Sequence, residues 1–168
     1  MSRYVLEPLA REHDRRAFHS GLESIDRYLK ETARGHTEKG ISVTRVLTPP
    51  DASPPKPILG FITLSQISVE ARSWVGAKGL PRSPVSAVLL GRMGVAEEEQ
   101  GKGLSRMLVA SACQLARDVI AACGGIGLVV DAANEDLIGF YEKFGFVRVE
   151  GLRMLLSKES LRVATRIE

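Results

Sequence analysis

Gln100-Gly101-Lys102-Gly103-Leu104-Ser105-Arg106-Met107-Leu108 lies between a strongly apolar stretch, Val85 to Val95, and a long amphipathic one. The stretch before it reads as a strand. After it, Leu104, Met107, Leu108, Leu115 and Val119 recur at helical spacing. A strand, a glycine-rich loop and a helix in that order point the helix N-terminus out of the loop. Glycine lets the backbone approach a ligand closely, and the unpaired amides of a first helical turn, at the positive end of the macrodipole, suit a phosphate. Two familiar phosphate loops do not fit. The stretch lacks a Gly-Lys-Ser or Gly-Lys-Thr ending, and it lacks three glycines followed by a later acidic residue.

Working outward, Tyr4-Val5-Leu6 suggests a first strand, Leu22 to about Lys39 an amphipathic helical region, and Ser42 to Thr48 a second strand rich in β-branched residues. The proline-rich run Pro49 to Pro57 predicts a surface hairpin loop. A long strand is expected from Ile58 to about Val69, and a connecting flap near an acceptor site between Glu70 and Ser86. Gly91 and Gly94 inside the Val85 to Val95 strand mark a bulge or a close backbone approach and suggest a splay in the sheet; relief of crowding is the alternative. Downstream, Leu128-Val129-Val130-Asp131 is a short strand. Phe140-Tyr141-Glu142-Lys143-Phe144 is a short helix, with Gly145 its C-cap and Phe146 the start of the last strand.

These signals predict one α/β domain over residues 1–168, a mixed, partly antiparallel sheet flanked by helices, and 44% apolar content supplies its core. Cys113 and Cys123 are ten positions apart on or just after one helix, too far for a disulfide, and read as buried small hydrophobes in a reducing compartment. No apolar run reaches the roughly 20 residues a bilayer span needs, and no signal-peptide pattern is visible, so a soluble, cytoplasmic protein without a membrane partner is expected. A net charge of +3 does not by itself announce RNA binding.

The loop resembles the cofactor motif of the GCN5-related N-acetyltransferases (GNAT): Gln or Arg, two residues, Gly, one residue, then Gly or Ala. Gln100, Gly103 and Ser105 occupy the key places, Ser105 being a departure whose hydroxyl could cap the helix. Asn134 and the Phe140-Tyr141…Phe144-Gly145-Phe146 run resemble the family's second half. Phe18-His19-Ser20-Gly21-Leu22-Glu23-Ser24-Ile25-Asp26-Arg27-Tyr28-Leu29 is similar to the opening of the family's toxins from bacterial toxin–antitoxin modules, with His19 and Ser20 in place of the usual Asp and Cys. Leu59 to Ser65, Leu80-Pro81-Arg82, Val88 to Val95 and Gly127 to Ala132 extend the likeness over most of the chain.

The resemblance implies a GNAT fold with a V-shaped splay and acetyl-CoA as acetyl donor, with no metal. Backbone amides of Gln100, Gly101, Lys102, Gly103, Leu104, Ser105 and Arg106 would hold the pyrophosphate. Met93, Gly94 and Val95 would pair with pantetheine, Asn134 would orient the arm, and Phe140 and Phe144 would adjoin the cofactor. It further implies acetylation of the α-amino group of an aminoacyl-tRNA, which blocks translation, a ribbon-helix-helix antitoxin as partner, and a homodimer.

Tyr141 is the candidate acid, because the departing thiolate needs a proton and a phenol can supply one; packing with Phe140 and Phe144 is its alternative role. Phenol and thiol reference values near 10 and 8.5 make the transfer uphill by roughly 2 kcal/mol in water, so the phenol's value is expected to be lowered or assisted locally. No general base stands out among Glu70, His13, His19 and His36. An α-amino group near pKa 8 needs little more than a water relay. Arg27, Lys30 and Arg34 recur at helical spacing, followed by Lys39, and with Arg82 and Arg92 are candidates for tRNA phosphates; a solvated helix face is the alternative. Two other functions remain open: acetylation of a small amine or a protein N-terminus, and a non-catalytic acyl-CoA- or tRNA-binding regulator.

Overall fold

Phe18, Leu29, Ala33, Val46, Ile58, Phe61 and Ala96 form one buried apolar cluster, and Val69, Ala71, Trp74, Ala87, Val129 and Leu155 form another. In the computed structural model, which describes residues 3–74 and 79–163, each cluster is the heart of one compact unit. The first unit comprises residues 1–65 and 91–111, the second 66–90 and 112–168.

In the first unit, β1 (Val5–Pro8) runs antiparallel to β3 (Val43–Thr48), which runs antiparallel to the start of β5 (Gly60–Val69); the end of β6 (Val85–Val95) follows in the order. Phe18 and Phe61 meet edge to face at 5.5 Å, the electrostatically favoured ring geometry. The helical region expected over Leu22 to Lys39 is three pieces: α1 (Glu23–Arg27), a π-helical turn (Tyr28–Thr32) and α2 (Ala33–Glu38). Such a turn shifts the helical register, so the even spacing of Arg27, Lys30 and Arg34 in sequence does not carry over to one α-helical face.

The proline-rich segment departs from expectation at its end. Lys56–Pro57 (β4) pairs in parallel with His13–Asp14 (β2). Pro57 donates no hydrogen bond, but Lys56 N–H reaches the Glu12 carbonyl at 2.7 Å, and its ammonium bridges Glu7 and Glu12 at 3.0 and 3.1 Å. One amide and one side chain suffice for so short a ladder.

In the second unit the order is β5-β6-β7-β9-β8, where β7 is Gly127–Asp131, β8 Val147–Glu150 and β9 Arg153–Ser157. β6 and β7 are parallel over Val88–Leu90 and Leu128–Val130; β7 with β9 and β9 with β8 are antiparallel. The strand beginning after Phe146 is therefore not the last. Leu152 to Leu156 carries the apolar run that makes β9, and α5 (Lys158–Val163) follows. Of the flap expected between Glu70 and Ser86, residues 75–78 lie outside the described residues, and Trp74 packs into the second unit's core.

The long helix α3 (Leu104–Cys123) buries a face different in part from the expected one. Leu104, Leu108, Ala112 and Ala116, four residues apart, are all 1% exposed or less, and Val109 and Cys113 are buried beside them. Met107 is exposed and Leu115 and Val119 are half-buried. Alanines at the deepest positions allow close packing that bulkier residues at 115 and 119 could not. Both cysteines are free, but Cys123, at the end of the helix, is exposed rather than buried. Burial pushes the Cys113 thiol up to about 11.

Gly94 decides how α1 seats. A Cβ there would stand 2.7 Å from Ile25 Cγ2 and 3.1 Å from a Phe61 ring atom. Close approach of helix to strand therefore accounts for this glycine, as the crowding alternative holds. Gly94→Ala is expected to destabilise the protein by about 1–3 kcal/mol through overpacking. Gly35→Ala, on open helix surface with no atom within 4 Å, should stabilise it by about 0.5–1 kcal/mol. Denaturant unfolding of both variants beside the parent checks the pair.

Candidate active site

Two groups of residues carry the chemistry expected from the sequence, one in each unit. The first group begins at the end of β6. Met93 is half-buried, and Gly94 and Val95 are buried. The chain then passes through a single 3₁₀ turn, Glu97–Glu99, into the glycine loop. Ala96 N–H donates to the carbonyl of Leu59, the residue before β5, at 2.9 Å, which anchors the start of the turn.

Gly101 and Gly103 have φ of +80° and +85°, a backbone region that side chains disfavour. No atom lies within 4 Å of where a Cβ would stand at either, so conformation rather than space requires glycine here. The first backbone bond of α3 runs from Met107 N–H to the Gly103 carbonyl at 3.3 Å, leaving the amides of Leu104, Ser105 and Arg106 without intrahelical partners. Open space beside the glycines and free amides at the positive end of a 20-residue helix fit a pyrophosphate group. Ser105 lies inside the first turn, one residue past the helix start, and so is not the N-cap. Lys102 pairs with Glu99 at 3.2 Å, and Arg106 is exposed. The Gln100 side chain turns inward: its Nε2 donates to the carbonyls of Ser20 at 2.8 Å and Val95 at 3.1 Å.

The second group surrounds α4 (Asp136–Glu142). Asn134 is exposed, and its Oδ1 accepts the Leu137 amide at 3.2 Å. It thus caps the first turn of α4 and keeps its amide donors for another partner. Gly145, with φ of +97°, reverses the chain after the helix, and its amide reaches the Glu142 carbonyl at 2.9 Å. Tyr141 is 5% exposed. Its ring meets Phe140 at 5.1 Å and Phe146 at 5.6 Å edge to face, while Phe144 packs on Phe140 at 5.4 Å. Burial pushes the Tyr141 phenol up to about 12. This is opposite to the lowering expected from the sequence: apolar rings surround the phenol and disfavour the phenolate.

The basic candidates separate into different surroundings. Arg27 and Lys30 line an open groove of about 690 Å³ whose walls also carry Glu23, Glu31 and Glu97. Arg27 pairs there with Glu23. Arg34 pairs with Glu38 at 3.4 Å, and Lys39 is exposed at the end of α2. Arg92 stands over the Tyr28 ring at 5.1 Å, and Arg82, in the second unit, is exposed. Arg15 is a further basic side chain near this group, engaged with the backbone. Its Nη1 donates to the Lys30 carbonyl at 2.8 Å, and burial, with Arg34 and Arg16 nearby, lowers its pKa. Of the possible bases, His13 is spent: Nδ1 accepts the Ala10 amide at 2.9 Å, so Nε2 carries the proton and donates to Glu7 at 2.7 Å.

Comparison with known proteins places this arrangement. A family model described as "Acetyltransferase (GNAT) family" matches residues 55–146, which contain the loop, Asn134 and Tyr141. A tRNA-acetylating toxin of Mycobacterium tuberculosis is 33% identical over 135 residues, covering 77% of this chain and 76% of that protein. Among solved structures, AtaT complexed with acetyl-methionyl-tRNAfMet superposes with a TM-score of 0.88 at 25% identity, covering 96% of this chain and 99% of the other. AtaTR bound with AcCoA gives 0.85 at 25% identity, covering 98% and 99%. Since the family model spans more than half of the chain, and the loop and the Tyr141 helix both fall inside it, the chain belongs to the GNAT acetyltransferases.

Proposed function

We propose that this chain is an acetyl-CoA-dependent N-acetyltransferase, working as a single catalytic domain over residues 1–168, that acetylates the α-amino group of an aminoacyl-tRNA and thereby arrests translation. The observation that carries this reading is the extent of the likeness. It covers 96% of this chain and 99% of a protein solved with acetylated methionyl-tRNA, not only the cofactor half that every relative would share. Three elements that pass from one unit into the other, β5, β6 and α3, support a single domain.

Acetyl-CoA supplies an acyl carbon activated by a thiolate leaving group. Within the stretch Gln100 to Arg106 the Gln100 amide already donates to the Glu97 carbonyl at 3.3 Å, so the amides beyond it would hold the pyrophosphate; the backbone of Met93 to Val95 would pair with the pantetheine and Asn134 would orient the arm, with Phe140 and Phe144 alongside. Tyr141 holds a proton at Oη. That proton passes to the departing sulfur, and the phenolate left behind takes the proton that the newly acylated nitrogen must shed. Burial raises the phenol and makes its transfer to the thiolate more uphill, but it also makes the phenolate a strong base toward the acylated nitrogen, so the second transfer offsets the first and Tyr141 ends with its proton restored. Arg27, Lys30, Arg34, Lys39, Arg82 and Arg92 are the side chains proposed to meet phosphates of the acceptor. Acceptor and cofactor both occur in the cytoplasm, where we place the chain; no helix among the described residues is long and apolar enough to cross a membrane. A toxin needs restraint in its own cell, so the reading includes a ribbon-helix-helix antitoxin and a homodimeric state.

Cell-free translation with the purified protein should stop only when acetyl-CoA is present, with acetylated aminoacyl-tRNA detected by mass analysis; unmodified tRNA and continued translation would shift the reading to a small amine or a protein N-terminus. Tyr141→Phe should keep the fold and acetyl-CoA affinity while transfer falls by about 10²–10⁴-fold. Arrest undiminished in that variant would instead mark a non-catalytic block. The phenol itself is testable. Ultraviolet titration should find a tyrosine ionising near pH 12 that Tyr141→Phe removes. Because the folded value lies above the ordinary 10, the contribution of Tyr141 to stability should be intact below pH 10 and lost as pH rises through 12.

A further inference from the structure

The turn Phe18-His19-Ser20-Gly21 is joined to the start of the cofactor loop by hydrogen bonds that the acetyl-transfer chemistry does not use. Asp26, on α1, is 9% exposed, and its Oδ1 accepts both the Ser20 amide at 2.9 Å and the Ser20 hydroxyl at 2.6 Å. Ser20 Oγ in turn accepts the Leu22 amide at 3.2 Å. One buried carboxylate and one hydroxyl thus fix the turn. Two consecutive carbonyls of this turn then face the segment leading to the loop. His19 O accepts the Glu97 amide at 2.8 Å, and Ser20 O accepts Gln100 Nε2 at 2.8 Å. The second proton of the Gln100 amide goes to Val95 O at 3.1 Å, so its orientation is determined at both ends.

We infer that Ser20 and Asp26 are positioning residues of the pyrophosphate loop: they set the turn on which Gln100 is fastened, so that the amides beyond it are ordered before the cofactor arrives. A loop with two positive-φ glycines has unusual conformational freedom to lose on binding, and ordering it in advance removes that cost from the affinity. The arrangement also explains why His19 and Ser20 can replace the usual Asp and Cys of the resembling toxins. His19 contributes only its carbonyl while its side chain is exposed, and a serine hydroxyl donates to a carboxylate more strongly than a thiol does.

The inference rests on acetyl-CoA as cofactor but not on the identity of the acceptor. Its test measures acetyl-CoA affinity by calorimetry and amide hydrogen exchange at Gly101 to Arg106 for Ser20→Ala, Gln100→Ala, Asp26→Ala and Asp26→Asn, with the ligand-free melting temperature as a folding control. Ser20→Ala and Gln100→Ala should remain folded, bind acetyl-CoA about tenfold more weakly, the equivalent of one lost hydrogen-bonded constraint, and exchange the loop amides faster. Asp26→Asn keeps an accepting oxygen and should recover most of the affinity that Asp26→Ala loses. For Gln100→Ala, which lies outside the groove lined by Arg27 and Lys30, the KM for the acceptor should change less than the acetyl-CoA affinity. Unchanged affinity and exchange in folded Ser20→Ala and Gln100→Ala would overturn the inference, as would a lowered melting temperature with unchanged affinity. A parent chain that binds no acetyl-CoA would overturn both this inference and the proposed function, whereas loop-dependent binding without translation arrest would support the inference and overturn the tRNA acceptor alone.

Discussion

The close approach of Ile25 to Gly94 is the constraint on which the first unit turns. Any side chain at 94 would hold α1 away from β6, because a Cβ alone would come within 2.7 Å of Ile25 Cγ2. With α1 seated, Asp26 lies one residue beyond Ile25 and meets Ser20, and the turn at 18–21 meets the segment after Val95. One apolar side chain seated against a glycine, where a methyl group is missing, therefore fixes where a polar network, and through it the phosphate-facing amides, can form. Dispersion and burial supply the stability. The hydrogen bonds supply the register, since each buried polar atom in the network must find its partner or lose more than the bond is worth.

Much of the fold was legible because it follows from periodicity. Val85 to Val95 and the short strand at 128–131 announce themselves as apolar runs, and their observed bounds agree to within a residue. The order strand, glycine loop, long helix was equally plain. What escaped depends on three-dimensional neighbours. Leu115 and Val119 fit a helical stripe as well as Ala112 and Ala116 do, but only contact with the other elements tells which side of the helix is pressed closest, and alanine wins there by being small. The π-helical turn at Tyr28–Thr32 has no signature in local propensity, yet it separates the surroundings of Arg27 and Lys30 from those of Arg34. β9 was hidden because its apolar run follows so closely on β8 that the two read as one stretch.

Site residues divide in the same way. The glycine loop and Tyr141 were visible as motifs, while the inward role of the Gln100 side chain was not, because its acceptor on Ser20 lies 80 residues away in sequence. For Tyr141 the direction of the pKa shift was misjudged for a definite reason. A leaving thiolate favours a more acidic phenol, but the phenol responds to its surroundings, which are the rings of Phe140 and Phe146. Desolvation by those rings holds the proton on oxygen throughout the physiological range.

Under the proposed reading, that retained proton bears on which amine the site can use. Among the candidate bases, His13 has both ring nitrogens committed, to the Ala10 amide and to Glu7. His36 contacts the Tyr28 hydroxyl at 3.4 Å and packs on its ring, and Glu70 and His19 are exposed. An acceptor must therefore arrive already neutral, or lose its proton to water, before it attacks. A lysine side chain near 10.4 is neutral in less than about one molecule in a thousand at pH 7, whereas an α-amino group near 8 is neutral in roughly one in ten. Esterification to tRNA removes the adjacent carboxylate charge and lowers that value further. By neutral fraction alone, α-amines are thus favoured over lysine side chains by roughly a hundredfold at a site without a dedicated base. Discrimination among α-amines is left to contacts with the remainder of the acceptor.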